Sequence, residues 1–248
     1  VGLPLFLAHW LWAQRLAGRD ADERGSSVRR LYLYGTLAGL LGPFLANAFV
    51  LAAWLLRLAL GGRRDYFSPA ALVHSLAAMT VLGLLWFYHW RVAGGDAQAA
   101  PETGNAATVR RLYVFGFSAA GVTLVTMAII HLLRWLMLQF GGSGTFQVAD
   151  TVGLTDEAAR LAVGLPVWLL FWRWAQGLFL GASEDERESA LRKFYLYVTV
   201  FIAVLTAVTN ATLFLAGIFR RALGLPALGD LRGPLPIVIG MAVLWAYH

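Results

Sequence analysis

The sequence contains no cysteine. Disulfides, thiolate metal sites and cysteine nucleophiles are therefore excluded, and cysteine usage says nothing about redox compartment. Charge is also scarce: 14% of the 248 residues are Asp, Glu, Lys or Arg, where a soluble domain of this size carries about 25%. The fourteen Asp and Glu all read as loop or first-turn residues, with none deep inside an apolar run. This removes the usual signature of proton- or cation-coupled transport and of carboxylate catalysis. There is no His-Glu-x-x-His, no Gly-x-Ser-x-Gly and no phosphate-binding glycine loop, since Gly141-Gly142-Ser143-Gly144 has no Lys-Ser/Thr behind it. No metal site and no enzymatic activity are expected. A charged n-region and an initiating Met are missing too. The chain begins at Val1 and ends at His248, both inside apolar runs, and reads as an excerpt of a longer protein.

What is present is apolar. Hydrophobic residues make up 59%, aromatics 13%, and there are ten Trp, with a mean hydropathy of +0.64. Lipid is the solvent this composition suits. The net charge of +6 falls mostly on residues flanking apolar runs, where anionic headgroups are the expected counter-charge. Nucleic acid is not an expected partner. A spanning helix needs about 20 apolar residues, and seven segments qualify wholly or in part: Gly2–Gln14, Leu31–Leu60, Pro69–Trp90, Leu112–Phe140, Ala158–Leu180, Phe194–Leu223 and Leu235–His248. Ser68-Pro69 and Thr155-Asp156-Glu157 read as helix starts, and Gly61-Gly62, Gly141-Gly142 and Gly224 as stops. Gly42-Pro43 is the expected kink of the second segment.

An internal repeat of 81–82 residues organises these segments. Gly2-Leu3-Pro4 through His9-Trp10 to Gln14 matches Gly164-Leu165-Pro166 through Phe171-Trp172 to Gln176, while Trp86 to Trp90 holds the same place in a middle copy and Trp245 to His248 opens a fourth. The second helix of each copy begins Arg29-Arg30-Leu31-Tyr32-Leu33-Tyr34, Arg110-Arg111-Leu112-Tyr113-Val114-Phe115 or Arg192-Lys193-Phe194-Tyr195-Leu196-Tyr197. The expected divisions are 1–68, 69–150, 151–230 and 231–248. Two crossings per copy return the chain to its starting side, so successive copies share one sense. Twelve Lys and Arg lie on one side and eight on the other. The positive-inside rule then makes the loops near 17–28, 93–109 and 181–191 cytoplasmic.

The paired motifs, Arg-Arg-x-Tyr-x-Tyr at helix starts and Gly-Leu-Pro…His-Trp at helix ends, resemble a bacterial membrane domain of unknown function built from tandem two-helix repeats. The resemblance implies an all-α polytopic bundle in the bacterial inner membrane and brings no activity with it. Phe171 departs from the pattern, standing where two other copies have His9 and His89.

Three groups of residues are candidates for a site. His9, His89 and His248 occupy equivalent positions beside Trp10 and Trp90. The ligand reading is haem, metal or a proton relay, and the favoured reading is an interfacial aromatic belt. Asn47 and Asn210, with Thr206 and Thr209 near the latter, fall at mid-span. They would line a path, or, as favoured, fix packing through interhelical hydrogen bonds. The cationic pairs Arg29-Arg30, Arg110-Arg111 and Arg192-Lys193 sit at helix N-termini, where the dipole disfavours them; lipid phosphate or another anion would compensate. Gly35-x-x-x-Gly39 and Gly116-x-x-x-Ala120 fit close helix contact. His131, Arg134 and Trp135 share a face and read as an outer anchor. The leading expectation is therefore a structural, scaffold or sensor membrane module with no cofactor, in contact with lipids and with other membrane proteins or a fused domain. The rivals are a channel or transporter lined by Asn and Thr, and a haem- or quinone-binding redox subunit.

Overall fold

The structure, a computed structural model, describes residues 2–60, 68–139, 151–180, 190–227 and 229–248. Within them the chain is helical: α1 (Gly2–Arg19), α2 (Ala21–Gly25), α3 (Ser27–Ala59), α4 (Pro69–Ala99), α5 (Gly104–Leu138), α6 (Thr151–Leu180), α7 (Ala190–Ala222) and α8 (Pro234–Tyr247). The expected all-α membrane architecture holds. Four helices, α3, α4, α5 and α7, are long and apolar enough to cross a bilayer. The 33 residues of α3 rise about 50 Å at 1.5 Å each, well beyond a ~30 Å hydrocarbon core. Of the other expected spans, α6 has the length but carries Asp156, Glu157, Arg160 and Arg173, and α1 and α8 are shorter.

The long helices also shorten the connectors. The loop expected at 93–109 is only Ala100 to Thr103, because α4 runs through Gly94-Gly95 to Ala99 and α5 begins at Gly104. The loop expected near 17–28 is largely helix as well, with α1 reaching Arg19 and α2 inserted before α3. This places Asp96 inside α4 and buries it, so the expectation that every carboxylate lies in a loop or first turn is corrected. The Ser68 start is as expected: its Oγ accepts from Ala71 N at 3.4 Å. The start at Thr155 is not, because α6 begins four residues earlier and Thr155 Oγ1 donates to Val152 O instead. Gly224 takes φ +68°; its N–H reaches Arg221 O and that of Leu225 reaches Arg220 O, the Schellman pairing that ends α7. The stops at Gly61-Gly62 and Gly141-Gly142 and the loop near 181–191, except its last two residues, lie outside the described residues.

The chain forms two compact units, Val1–Asn47 with His74–Val114, and Ala48–Val73 with Phe115–His248. In the first, Leu33 and Leu37 of α3 are fully buried, and Gly83 lets α4 approach Phe44 of α3. In the second, α5 and α6 meet through glycine. A Cβ on Gly121 would lie 2.5 Å from Trp168 N, and one on Gly164 would lie 2.7 Å from Leu124 Cβ. Gly240 of α8 likewise faces Ile130 of α5. Ala128, Ala159, Ala175 and Ala203 are wholly buried, so small residues bring these backbones together. The glycines expected to do this do not: Gly35, Gly39 and Gly116 have nothing within 4 Å of a built Cβ among the described residues.

Candidate functional site

The first unit holds a buried ion network where α3 begins and α4 ends. Arg29 and Arg30 open α3 with side chains 5% and 0% exposed. Arg29 Nε donates to Asp96 Oδ2 at 2.7 Å and its Nη2 to Gln14 Oε1 at 3.0 Å. Arg30 Nη1 lies 3.2 Å from Glu102 Oε1. Arg30 also donates to Ala93 O and Ala100 O, each at 3.1 Å. A guanidinium at the end of α4 meets the negative pole of that helix, which offsets its unfavourable place at the start of α3. Glu102 is shared: its Oε2 accepts from Arg110 Nη1 at 2.9 Å and its Oε1 from Tyr34 OH at 3.1 Å. Pro101 and the turn at Gly104 (φ +53°) hold Glu102 between the helices. Buried ions are costly unless paired and hydrogen-bonded, and here Asp96 near the end of α4 and Glu102 of the connector that follows meet that requirement. Asp96 and Glu102 thus give Arg29, Arg30 and Arg110 carboxylate partners within the protein. The sequence reading passed over these two acids. Their signal was topological, since the end of α4 and the connector after it meet the start of α3.

Next to the network is a cluster of four rings. Trp10 of α1 packs on Tyr32 of α3 and on Tyr88 and His89 of α4, with centroids 5.6, 6.1 and 5.2 Å away. The second unit contains the same arrangement. There Trp172 of α6 packs on Tyr195 of α7 and on Tyr247 and His248 at the end of α8, at 5.7, 6.2 and 5.4 Å. Both histidines donate Nδ1–H to the carbonyl four residues back, Leu85 at 2.7 Å and Leu244 at 3.1 Å. This choice fixes the neutral tautomer and leaves Nε2 as an acceptor.

The polar edges of the two clusters differ. Trp10 Nε1 donates to Tyr88 OH at 2.8 Å, while buried His89 Nε2 has no partner among the described residues. In the second cluster Tyr195 OH donates to His248 Nε2 and accepts from Ser118, each at 3.3 Å, and Trp172 Nε1 is the unpartnered atom. The rings expected to form an interfacial belt also pack on one another and join helices. His9, the third member of the expected histidine set, is exposed.

The family model for a domain of unknown function, DUF5671, matches residues 1–83 and 111–247. The chain belongs to this family. No curated protein matches it, and no solved structure does. Membership in DUF5671 assigns no activity, so the placement of individual residues carries the reading.

The mid-span amides of this DUF5671 chain bond within their own helices, which corrects the expectation of interhelical hydrogen bonds. Asn47 Nδ2 donates to Pro43 O at 2.8 Å, and Asn210 Nδ2 to Thr206 O at 2.9 Å. Thr209 Oγ1 does the same to Leu205 O at 2.9 Å. Asn47 Nδ2 gives the Pro43 carbonyl a side-chain donor, while the ladder bond that Pro43 cannot make is the one to Gly39 O, a turn earlier. Of the remaining cations, Arg111 and Arg192 are half-buried and Lys193 is exposed. Trp90 is half-buried and stacks on Trp86 at 5.2 Å. A second polar group joins α5 to α6 and α3 to α6. His131 Nδ1 lies 2.8 Å from Glu157 Oε1, Arg160 pairs with the same carboxylate, and Arg57 bonds Asp156 at 2.5 Å. His131 thus ties two helices together as well as reaching the surface.

Proposed function

We propose that this chain is an integral membrane module of the structural, scaffold or sensor kind, made of tandem helix pairs and acting through helix packing and lipid or partner contacts. One observation carries the reading: the Trp-Tyr-Tyr-His cluster is built twice, with paired centroid distances agreeing to 0.2 Å or better. Both instances lock one helix pair to the helix that follows. The residues involved are those the 81–82-residue sequence repeat aligns, which supports a repeated joint rather than a single reaction centre. The asparagines bond to their own helices, so neither amide is held out toward a polar path. In this reading the membrane is the bacterial inner one, and the connectors carrying Asp22, Thr103 and the segment near 181–191 face the cytoplasm. Other membrane proteins or a fused domain are the partners.

Two measurements test this. The chain has no cysteine, so single Cys placed at Asp22, Thr103 or Ser68 can be labelled unambiguously in inverted and right-side-out vesicles. Asp22→Cys and Thr103→Cys should react from the cytoplasmic side and Ser68→Cys from the other; reaction of Asp22→Cys and Ser68→Cys from one side would refute the orientation. If the clusters are equivalent joints, Trp10→Ala and Trp172→Ala should each cost on the order of 3 kcal/mol in detergent unfolding, the low end for Trp→Ala because lipid tails refill part of the void. Solute flux in proteoliposomes that Asn210→Leu abolishes would replace the scaffold reading with the channel one.

A further inference from the structure

A cavity of about 300 Å³ opens in the first unit between α1, α2 and α3. This is the lower end of the range for small-molecule sites. Phe6, Trp10, Ala13 and Val28 give it apolar walls, and Glu23 and Arg29 give it two opposite charges. The Arg29 side chain is 5% exposed. Its Nε and one Nη2 hydrogen are engaged with Asp96 and Gln14, and Nη1 has no hydrogen-bond partner among the described residues. A guanidinium offers five N–H donors in a fixed fork, so donors of Arg29 remain for an acceptor in the cavity. Glu23 also has no ion-pair or hydrogen-bond partner for its carboxylate among the described residues. The cavity lies at the first turn of α3 beside Trp10 and Tyr32, where a membrane protein meets the headgroup layer.

We infer that this cavity is a phospholipid headgroup site, in which Arg29 takes the phosphate and Glu23 takes a primary ammonium. The inference rests on the membrane-module reading and names its lipid partner. The anion belongs to Arg29, because charge-assisted bonds to phosphate suit its planar fork. The ammonium belongs to Glu23, because a carboxylate beside a phosphate site would repel a purely anionic headgroup. A quaternary choline offers no N–H to that carboxylate, so ethanolamine-type lipid is preferred. The apolar walls then hold the glycerol and the first methylenes, and the acyl chains leave over the exposed face of α1 at Leu5 and Leu7.

The test is native mass spectrometry of the whole chain released from bilayers containing equal parts of ethanolamine, choline and glycerol phospholipid. Wild-type protein should retain the ethanolamine lipid over the choline lipid by about tenfold, the worth of one charge-assisted hydrogen bond. Glu23→Gln should erase that preference. Ala13→Phe fills the cavity while leaving every member of the ion network in place, and should lose the retained lipid while the melting temperature holds. Equal retention of the two lipids by wild type, or undiminished retention by Ala13→Phe, overturns the site. Displacement of bound lipid by millimolar inorganic phosphate alone would also overturn it, assigning Arg29 to a free anion. Failure of the membrane reading would look different: the protein would stay monodisperse without detergent.

Discussion

At the scale of single residues, buried charge sets the terms. Arg30 has no exposed side-chain surface and Glu102 has 1%, so each is tolerable only with the other. Glu102→Ala strands Arg30 and leaves Arg110 without this carboxylate. We expect a loss of about 3 kcal/mol or more in detergent unfolding, as for other buried pairs broken from one side. A loss below about 1 kcal/mol would mean that water or lipid replaces the carboxylate freely. Asp230, in the α7–α8 connector, is the contrasting case. Hydrogen bonds from the Arg232 side chain and backbone hold its carboxyl below the ordinary 3.8. A depressed folded pKa gives stability that is present above the ordinary value and fades as pH falls through the folded one. The pair is exposed, so the effect is small. Melting curves of wild type and Asp230→Asn should differ slightly at about pH 6 and converge toward about pH 2. Divergence that grows on acidification would contradict the pairing.

At the scale of helices, small residues decide which backbones touch. Gly121→Leu would push a side chain into the Trp168 backbone, where no rotamer change relieves it. Overpacking of this kind costs about 1–3 kcal/mol or more. Gly116→Ala, in open space on the same helix, should be neutral or gain up to about 1 kcal/mol from helix propensity. The reverse ranking in thermal unfolding would place the α5–α6 contact elsewhere. Sequence reading chose Gly35, Gly39 and Gly116 because Gly-x-x-x-small spacing is all that a sequence displays. The pairing of Gly121 with Gly164 depends on the relative height of two helices, which spacing within one helix does not encode. Helix existence and most terminal signals were legible, including Ser68 and Gly224. Helix lengths were not, because α4 runs past Gly94-Gly95 to where Asp96 meets Arg29, a tertiary contact that outweighs the local cost of two glycines.

At the scale of the whole chain, the solvent was the most legible property. Composition alone implied lipid, and the structure leaves Leu55, Val81, Leu84, Leu205 and Val208 at least half exposed along long helices. In water such rows would be an aggregation hazard; in hydrocarbon they are the expected exterior. The ring clusters were half legible. Their residues stood out as motifs, but which Trp meets which His requires knowing that Trp10 receives Tyr88-His89 and Trp172 receives Tyr247-His248. Arg pairs at helix starts call for compensation, but Asp96 and Glu102 fall in a stretch of sequence whose glycines and small polar residues resemble plain loop. Collision accessibility of a nitroxide spin label attached to single cysteines at Val81, Leu84, Leu205 and Val208, with the protein in proteoliposomes, tests the central claim most directly. The account predicts that membrane-dissolved oxygen relaxes these labels far more than a water-soluble nickel chelate does. Dominant relaxation by the chelate at these positions would show that water, not lipid, surrounds the helices.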